Sequence, residues 1–129
     1  MELPVVLLIE DDEDDLWILE EAFSVLEWPC QLMTFRDGES ALTFLKNTAI
    51  SPSLILLDNR MPGLGGLEVL SLLRQMAGFE NTRVIVMSGE TPSSFASNIE
   101  LMGANGYLPK PSSMAQWQQA LRQIIQELP

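Results

Sequence analysis

The sequence predicts an α/β domain in which five parallel strands form one doubly wound sheet with helices on both faces. Two features support this prediction. Short, continuous apolar runs are typical of strands buried on both faces of a parallel sheet. They alternate with segments whose apolar residues recur every three or four positions, as in amphipathic helices. No internal repeat, linker or low-complexity segment is found, so the predicted domain comprises residues 1–129.

The predicted strands are short and rich in apolar residues. The third is the most distinctive, because four consecutive apolar residues stand between Pro52 and Pro62 and end directly at the carboxylate of Asp58. The first run is equally apolar and ends at Glu10. In chain order, strands are predicted at residues 5–9, 30–35, 54–57, 83–87 and 107–108.

The segments after the strands have helical periodicity. The first helix begins among the acids Glu13, Asp14 and Asp15, which suit a helix N-terminus and are interpreted as a solvated first turn. The last helix carries Trp117, which is predicted to pack in the core or to contribute to a dimer contact. In chain order, helices are predicted at residues 14–26, 41–47, 67–78, 92–102 and 114–125.

The composition excludes several classes of function. The 129 residues are 47% hydrophobic with a mean hydropathy of +0.14, which argues against disorder. Eighteen acids against seven bases give a formal net charge of −11, so no binding to nucleic acid or to a membrane surface is expected. The chain has no histidine, which excludes imidazole nucleophile activation, imidazole metal ligands and phosphohistidine on this chain.

The expected location is the cytoplasm. The single cysteine, Cys30, cannot form a disulfide within the chain. No basic segment precedes the first apolar run, as a signal peptide would require. The apolar runs are also much too short to span a membrane.

Polar residues follow four of the five predicted strands. Because ligands and reactive groups gather at the carboxyl ends of parallel strands, and neighbouring strands lie about 4.8 Å apart, these side chains can converge on one pocket. In chain order they are Glu10, Asp11 and Asp12 after the first strand, Asp58 after the third, Ser88 after the fourth and Lys110 after the fifth.

This set of residues suits phosphoryl transfer. Carboxylates held close together repel one another unless a cation joins them, and a hard divalent ion such as Mg²⁺ prefers oxygen ligands. Lys110 offers a compact positive charge and Ser88 a hydroxyl, both suited to phosphate oxygens. Asp58 would then be the carboxylate nucleophile. Structural interpretations remain open: Asp58 could end a strand, Ser88 start a turn and Lys110 be a surface charge.

Four segments contain these polar residues: Ile-Glu-Asp-Asp at 9–12, Asp-Asn-Arg-Met-Pro at 58–62 with Gly66, Met-Ser-Gly-Glu at 87–90, and Gly-Ala-Asn-Gly-Tyr-Leu-Pro-Lys-Pro at 103–111. Asp58 stands 30 positions before Ser88 and 52 before Lys110. In this order and at these separations, the segments strongly resemble the receiver domain of two-component response regulators. The resemblance covers essentially the whole chain. It implies a flavodoxin-like fold with strand order 2-1-3-4-5 and a phosphoacceptor that assists its own phosphotransfer and dephosphorylation, without being an enzyme in its own right.

The resemblance also implies a role for each residue around the phosphoacceptor. Asp58 would accept the phosphoryl group from the phosphohistidine of a partner kinase. Asp11 would bind Mg²⁺ directly and Glu10 mostly through water, while Asp58 and the main-chain carbonyl of Arg60 complete the ligand set.

A second group of residues would respond to the phosphoryl group. Lys110 would pair with it, Ser88 would turn inward to hydrogen-bond it, and Tyr107 matches the aromatic residue that moves with that hydroxyl. The peptide bond between Lys110 and Pro111 matches one that is cis in the family. The changed surface would consist of the fourth predicted helix, the fifth strand and the last helix.

Among receiver domains, the sequence most resembles small stand-alone regulators of cyanobacterial phytochromes. The implied partners are a sensor histidine kinase, including the phytochrome type, or a phosphotransfer protein, and then a downstream protein or a second copy of the chain. Three positions depart from the family. Gly65 stands where many relatives carry an acid, and Arg60 and Glu90 flank the site, where they are expected to pair and slow the entry of water.

Three alternatives to a stand-alone phosphorylated regulator are open at this point. The chain could be an unphosphorylated interaction module with the same fold, or a receiver domain excised from a larger regulator or hybrid kinase. An aspartate-nucleophile phosphatase also combines carboxylates, serine and lysine around Mg²⁺. However, its nucleophile belongs on the first strand, in an Asp-x-Asp pattern that residues 10–13 do not match.

Overall fold

The computed structural model describes residues 2–89, 98–100 and 102–129, and it contains one parallel sheet of five strands. The strand order β2-β1-β3-β4-β5 confirms the predicted architecture. Each predicted strand is present within one or two residues of its expected bounds. The strands are β1 (Val5–Ile9), β2 (Gln31–Phe35), β3 (Leu54–Asp58), β4 (Val84–Ser88) and β5 (Gly106–Pro109).

Helices cover both faces of the sheet, as expected for a doubly wound fold. They are α1 (Glu13–Ser24), α2 (Gly38–Lys46), α3 (Gly66–Gln75) and the C-terminal helix (Met114–Gln126). Of the helix predicted at 92–102, residues 98–100 are helical, whereas 92–97 and 101 lie outside the described residues. No helix in the described ranges has the length and apolar character needed to cross a membrane.

The sheet has an apolar core on each face. Alternate residues of β3 point in opposite directions, so Ile55 and Leu57 join the core beneath α2 and α3. Leu54 and Leu56 join the core beneath α1 and the C-terminal helix. All four side chains are fully buried. The wholly apolar run that predicted this strand therefore reflects burial on both faces.

Side-chain caps start the helices that follow β1 and β2. Asp12 accepts hydrogen bonds from the backbone N–H groups of Asp14 and Asp15, at 2.9 and 3.0 Å. Asp37 caps α2 in the same way, through the N–H of Ser40 at 2.7 Å. Such caps satisfy donors that the first helical turn leaves unpaired. They fix the start of each helix immediately after a strand end.

Trp117 is 2% exposed and packs in the core with α1, so the predicted core packing is confirmed and the alternative, a dimer contact through this ring, is wrong. Its position on the buried face of an amphipathic helix explains the difference, since that face packs against the sheet. Trp17 on α1 is instead 61% exposed.

The peptide bond between Lys110 and Pro111 is trans, as are the other peptide bonds of the described residues, so the cis bond implied by the resemblance is wrong. For a bond before proline the trans form is favoured by about 0.5–1 kcal/mol unless tertiary contacts select the other. Lys110 nevertheless extends the sheet, because its backbone N–H donates to the carbonyl of Ser88 at 2.8 Å.

Gly66, the first residue of α3, approaches the loop after β3 too closely to accept a side chain. A Cβ at this position would collide with the carbonyl oxygen of Asp58 and lie 2.8 Å from the Cα of Asn59. We expect Gly66→Ala to lower the free energy of unfolding by about 1–3 kcal/mol, because the backbone around Asp58 must shift. Urea unfolding measures this change.

The neighbouring glycine provides a matched control. A Cβ on Gly65 would meet nothing closer than 3.7 Å. The variant Gly65→Ala should therefore change the free energy of unfolding by less than about 1 kcal/mol, mostly through the helix cap. Equal losses in the two variants would contradict the close approach at Gly66.

Candidate functional site

Polar side chains from four strand ends and from α1 meet in one cleft of about 250 Å³ at the carboxyl edge of the sheet. Among the residues predicted to form the site, all but Tyr107 line this cleft. Its lining is Glu10, Asp11, Asp12, Asp15, Asp58, Arg60, Ser88, Gly89 and Lys110.

Backbone hydrogen bonds of the sheet fix the positions of the residues that carry these side chains. The N–H of Glu10 donates to the carbonyl of Phe35 at 2.9 Å, so the first acid is still part of the sheet. Asp58 is the last residue of β3 and pairs in register with Met87 of β4. The bond from the N–H of Lys110 to Ser88 holds the lysine beside β4. The site is therefore built on rigid strand ends.

Three of the five carboxylates that line the cleft form a compact cluster. Glu10 is fully buried, Asp58 is 4% exposed and Asp11 is half-buried. One oxygen from each lies within 4.8 Å of the others. This donor set consists only of oxygen, which suits a hard divalent cation such as Mg²⁺ or Mn²⁺. The three residues can thus hold a metal ion between β1 and β3.

Lys110 provides the buried positive charge of the cleft, whose lining also includes the exposed Arg60. Its Nζ lies 2.7 Å from Oε1 of Glu10, 2.6 Å from Oδ2 of Asp15 and 3.0 Å from Oδ1 of Asp58. The lysine side chain is 16% exposed, so these contacts are largely shielded from water. A single ammonium group therefore connects carboxylates from β1, β3 and α1.

Burial controls the ionisation of these groups. It raises the pKa of Glu10 to about 8, with the nearby Asp58 acting in the same direction and Lys110 opposing it. Burial also raises the pKa of Asp58, although its hydrogen bond with Lys110 acts against the change. For Lys110, burial lowers the pKa, but its bonds to Asp15 and Glu10 outweigh this and leave it above its ordinary value. The cleft holds more negative charge than one ammonium can balance.

The sequence analysis missed Asp15. It assigned the three acids at 13–15 to a solvated first turn, which is right for the exposed Glu13 and Asp14 but wrong for Asp15. A signal was available, because Asp15 lies four and seven positions before Leu19 and Ala22, which are both fully buried. An acid in phase with the buried stripe of a helix faces the sheet rather than the solvent.

The remaining predicted residues take different positions around the cleft. Ser88, the last residue of β4, is 3% exposed. Arg60 is exposed and lines the cleft. Tyr107 lies in register with Val86 and packs, half-buried, against the core beneath α2 and α3. Glu90 lies outside the described residues, so its expected pairing with Arg60 stays a prediction.

Comparison with known families agrees with this geometry. A family model described as the response regulator receiver domain matches residues 6–122. The chain belongs to this family. The receiver family accounts for the parallel sheet, its strand order and the acidic cleft at its carboxyl edge.

One curated relative and two solved structures illustrate the family. The DNA-binding transcriptional regulator NtrC of Salmonella typhimurium is 32% identical over 111 residues, which are 86% of this chain but 22% of NtrC. The chain thus spans about a fifth of the length of that relative.

Two solved structures that resemble this chain are response regulators of similar length to it. The Mn²⁺-bound form of response regulator Rcp1 has a TM-score of 0.84 and 26% identity, covering 98% of this chain and 99% of Rcp1. The phosphorylated cyanobacterial phytochrome response regulator RcpA has a TM-score of 0.85 and 26% identity, covering 96% of this chain and 91% of RcpA.

The raised pKa of Glu10 predicts how the stability of the metal-free receiver domain depends on pH. Because the folded-state pKa of about 8 exceeds the ordinary value of 4.5, the folded protein binds more protons between these limits. Its free energy of unfolding should therefore fall as pH rises from 5 to 8, by more than about 1.4 kcal/mol, the equivalent of one pKa unit. Urea unfolding in a metal chelator measures the slope.

The variant Glu10→Gln is the control for this slope. The chain has no histidine, so no imidazole titrates in the same range. Removal of the Glu10 carboxyl should reduce this slope and leave the part that Asp58, whose pKa is also raised by burial, contributes. An unchanged slope in Glu10→Gln would show that another group is responsible.

Proposed function

We propose that this protein is a phosphorylation switch in which Asp58 accepts a phosphoryl group from the phosphohistidine of a sensor histidine kinase. The surroundings of the Asp58 carboxylate are the main support for this proposal. The carboxylate of Asp58 is buried at the end of β3, 3.0 Å from the ammonium of Lys110, and shares a metal-capable cluster with Glu10 and Asp11. A carboxylate with a structural role alone needs no such surroundings.

The chemistry is a transfer between two nucleophiles. An oxygen of Asp58 forms a bond to phosphorus while the phosphorus–nitrogen bond of the donor breaks, and the departing imidazole takes up a proton. Lys110 faces the oxygens of the transferring group and balances part of their charge. A bound Mg²⁺ ion would neutralise further charge on these oxygens, held by Glu10, Asp11, Asp58 and the Arg60 carbonyl.

The response to phosphorylation involves the side of the molecule around β5. In the proposed switch, Ser88 turns toward the phosphoryl group and Tyr107 moves with it. Both residues lie on adjacent strands, with Ser88 in register with Pro109 and Val86 with Tyr107. The surface that changes comprises the predicted 92–102 helix, β5 and the C-terminal helix. Local electrostatics would in this way bias a two-state element.

We further propose that residues 1–129 act as a stand-alone cytoplasmic regulator of a phytochrome-type kinase. Support comes from the near-complete mutual coverage with Rcp1 and RcpA, the second of which is a phytochrome response regulator. A phosphotransfer protein is the alternative donor, and a downstream protein or a second copy of the chain is the proposed receiver of the signal. The match covers only 22% of NtrC, so the competing proposal is that residues 1–129 form one domain of a larger regulator.

Phosphorylation by a small donor tests the central proposal. Incubation of the protein with acetyl phosphate and Mg²⁺ should add the mass of one phosphoryl group, measured by intact-protein mass spectrometry. The variant Asp58→Asn should gain none, since it lacks the nucleophilic carboxylate. No gain on the wild-type protein would overturn the proposal and favour an unphosphorylated interaction module. A gain that survives in Asp58→Asn would also overturn it, because the phosphoryl group would then be on another residue.

Metal binding can be tested separately by titration calorimetry. The variant Asp11→Asn should weaken Mg²⁺ binding by about tenfold or more, because a charged ligand of the ion becomes neutral. Asp14→Asn is a matched control that removes the same charge from the exposed side of the first turn of α1, outside the cluster. Equal weakening in both variants would indicate a general charge effect rather than a ligand.

A further inference from the structure

Lys110 is bound by more partners than phosphoryl transfer alone explains. An ammonium group has three N–H donors, and the three carboxylates of Glu10, Asp15 and Asp58 provide one acceptor for each. The shortest of the three contacts, at 2.6 Å, goes to Asp15, the one partner that does not belong to a strand end.

The three partners differ in their relation to the metal-capable cluster. Glu10 and Asp58 belong to it, whereas Asp15 does not. A divalent cation among the cluster oxygens would draw on the charge of Glu10 and Asp58 and would also repel the nearby ammonium. Under these conditions Asp15 keeps its full charge available for Lys110.

The position of Asp15 is well fixed for this task. Its backbone N–H donates to Oδ1 of Asp12, which caps α1. The buried Leu19 and Ala22 hold the same face of the helix against the sheet. The side chains of Asp15 and Lys110 are 26% and 16% exposed, so their ion pair is partly shielded from water and from salt.

We propose that Asp15 is a positioning residue that keeps Lys110 in the cleft when a divalent cation occupies the cluster formed by Glu10, Asp11 and Asp58. This inference rests on the proposed function, since it assumes that Lys110 serves the phosphoryl group. In the proposed phosphorylated form, Asp15 and Glu10 each accept one N–H group of Lys110. The third N–H group, which faces Asp58 here, then donates to a phosphoryl oxygen. Asp15 touches neither the metal nor the reacting atoms.

A double-mutant cycle on the rate of phosphorylation tests the proposal. With acetyl phosphate at saturating Mg²⁺, Asp15→Asn should slow the modification of Asp58 by about tenfold, because the ammonium is no longer held near the reacting group. Asp15→Glu, which keeps the charge, should recover part of the rate. In a Lys110→Met background, Asp15→Asn should have no further effect, a result that a purely structural role would not produce.

Asp14 provides the matched control. Asp14→Asn removes the same charge from the same helical turn without a contact to Lys110, and should change the rate by less than about twofold. Faster phosphorylation of Asp15→Asn would overturn the proposal, because Asp15 would then withhold Lys110 from the phosphoryl group. Equal slowing in the Lys110→Met background would overturn it as well.

Calorimetry separates a positioning residue from a metal ligand. Asp15→Asn should change the dissociation constant of Mg²⁺ by less than about threefold, since Asp15 lies outside the cluster and its carboxylate is paired with Lys110. A tenfold or larger loss that persists in the Lys110→Met background would assign Asp15 to the metal and overturn the proposal.

The failure of the two proposals can be distinguished. If the wild-type protein is not phosphorylated, the proposed function fails first. Crystal structures of the Mg²⁺ forms then decide on Asp15 independently: Lys110 should stay beside Asp15 in the wild-type protein and leave the cleft in Asp15→Asn. An unmoved Lys110 in Asp15→Asn would overturn the positioning role.

Discussion

An excess of buried negative charge around one ammonium group governs the organisation of this receiver domain. Glu10 and Asp58 are almost completely buried, and among the described residues Lys110 forms ion pairs with both of them. Buried carboxylates repel one another and lose hydration, so their arrangement is tolerable only if a cation is held among them or a proton is taken up. The fold must therefore deliver acids and lysine to the same point with little freedom of movement.

The strand order meets this requirement. β1 and β3 are neighbours at the centre of the sheet, so Glu10 and Asp58 leave adjacent strand ends. β4 and β5 follow on the same side, and the backbone bond between Lys110 and Ser88 brings the lysine toward them. The chain leaves β1 toward β2 and leaves β3 toward β4, in opposite directions along the sheet, so the crevice at this edge opens between β1 and β3, as is general for doubly wound sheets. Apolar packing on both faces makes the strand ends rigid.

Much of this arrangement could be predicted because it depends on local patterns. Continuous apolar runs identified the central strands, and the first polar residue after each run identified a member of the site. The contact of Asp15 was missed because it depends on where α1 sits over the sheet, which a list of strand ends does not contain. The ring of Trp117 and the peptide bond before Pro111 depend likewise on tertiary packing, which sequence propensity does not determine.

The electrostatics of the cleft also indicate why the proposed phosphoryl group would need a divalent cation beside it. The raised pKa values of Glu10 and Asp58 show that the folded protein without metal disfavours full ionisation at this edge. A phosphoryl group on Asp58 would bring further negative charge to the same place, where Lys110 already contacts three carboxylates. Accommodation of the phosphoryl group therefore requires added positive charge, and the oxygen atoms of Glu10, Asp11 and Asp58 are the ones positioned to bind it. Since Lys110 must stay in the same cleft as that cation, a carboxylate outside the cluster is needed to hold it, and among the described residues Asp15 has this position.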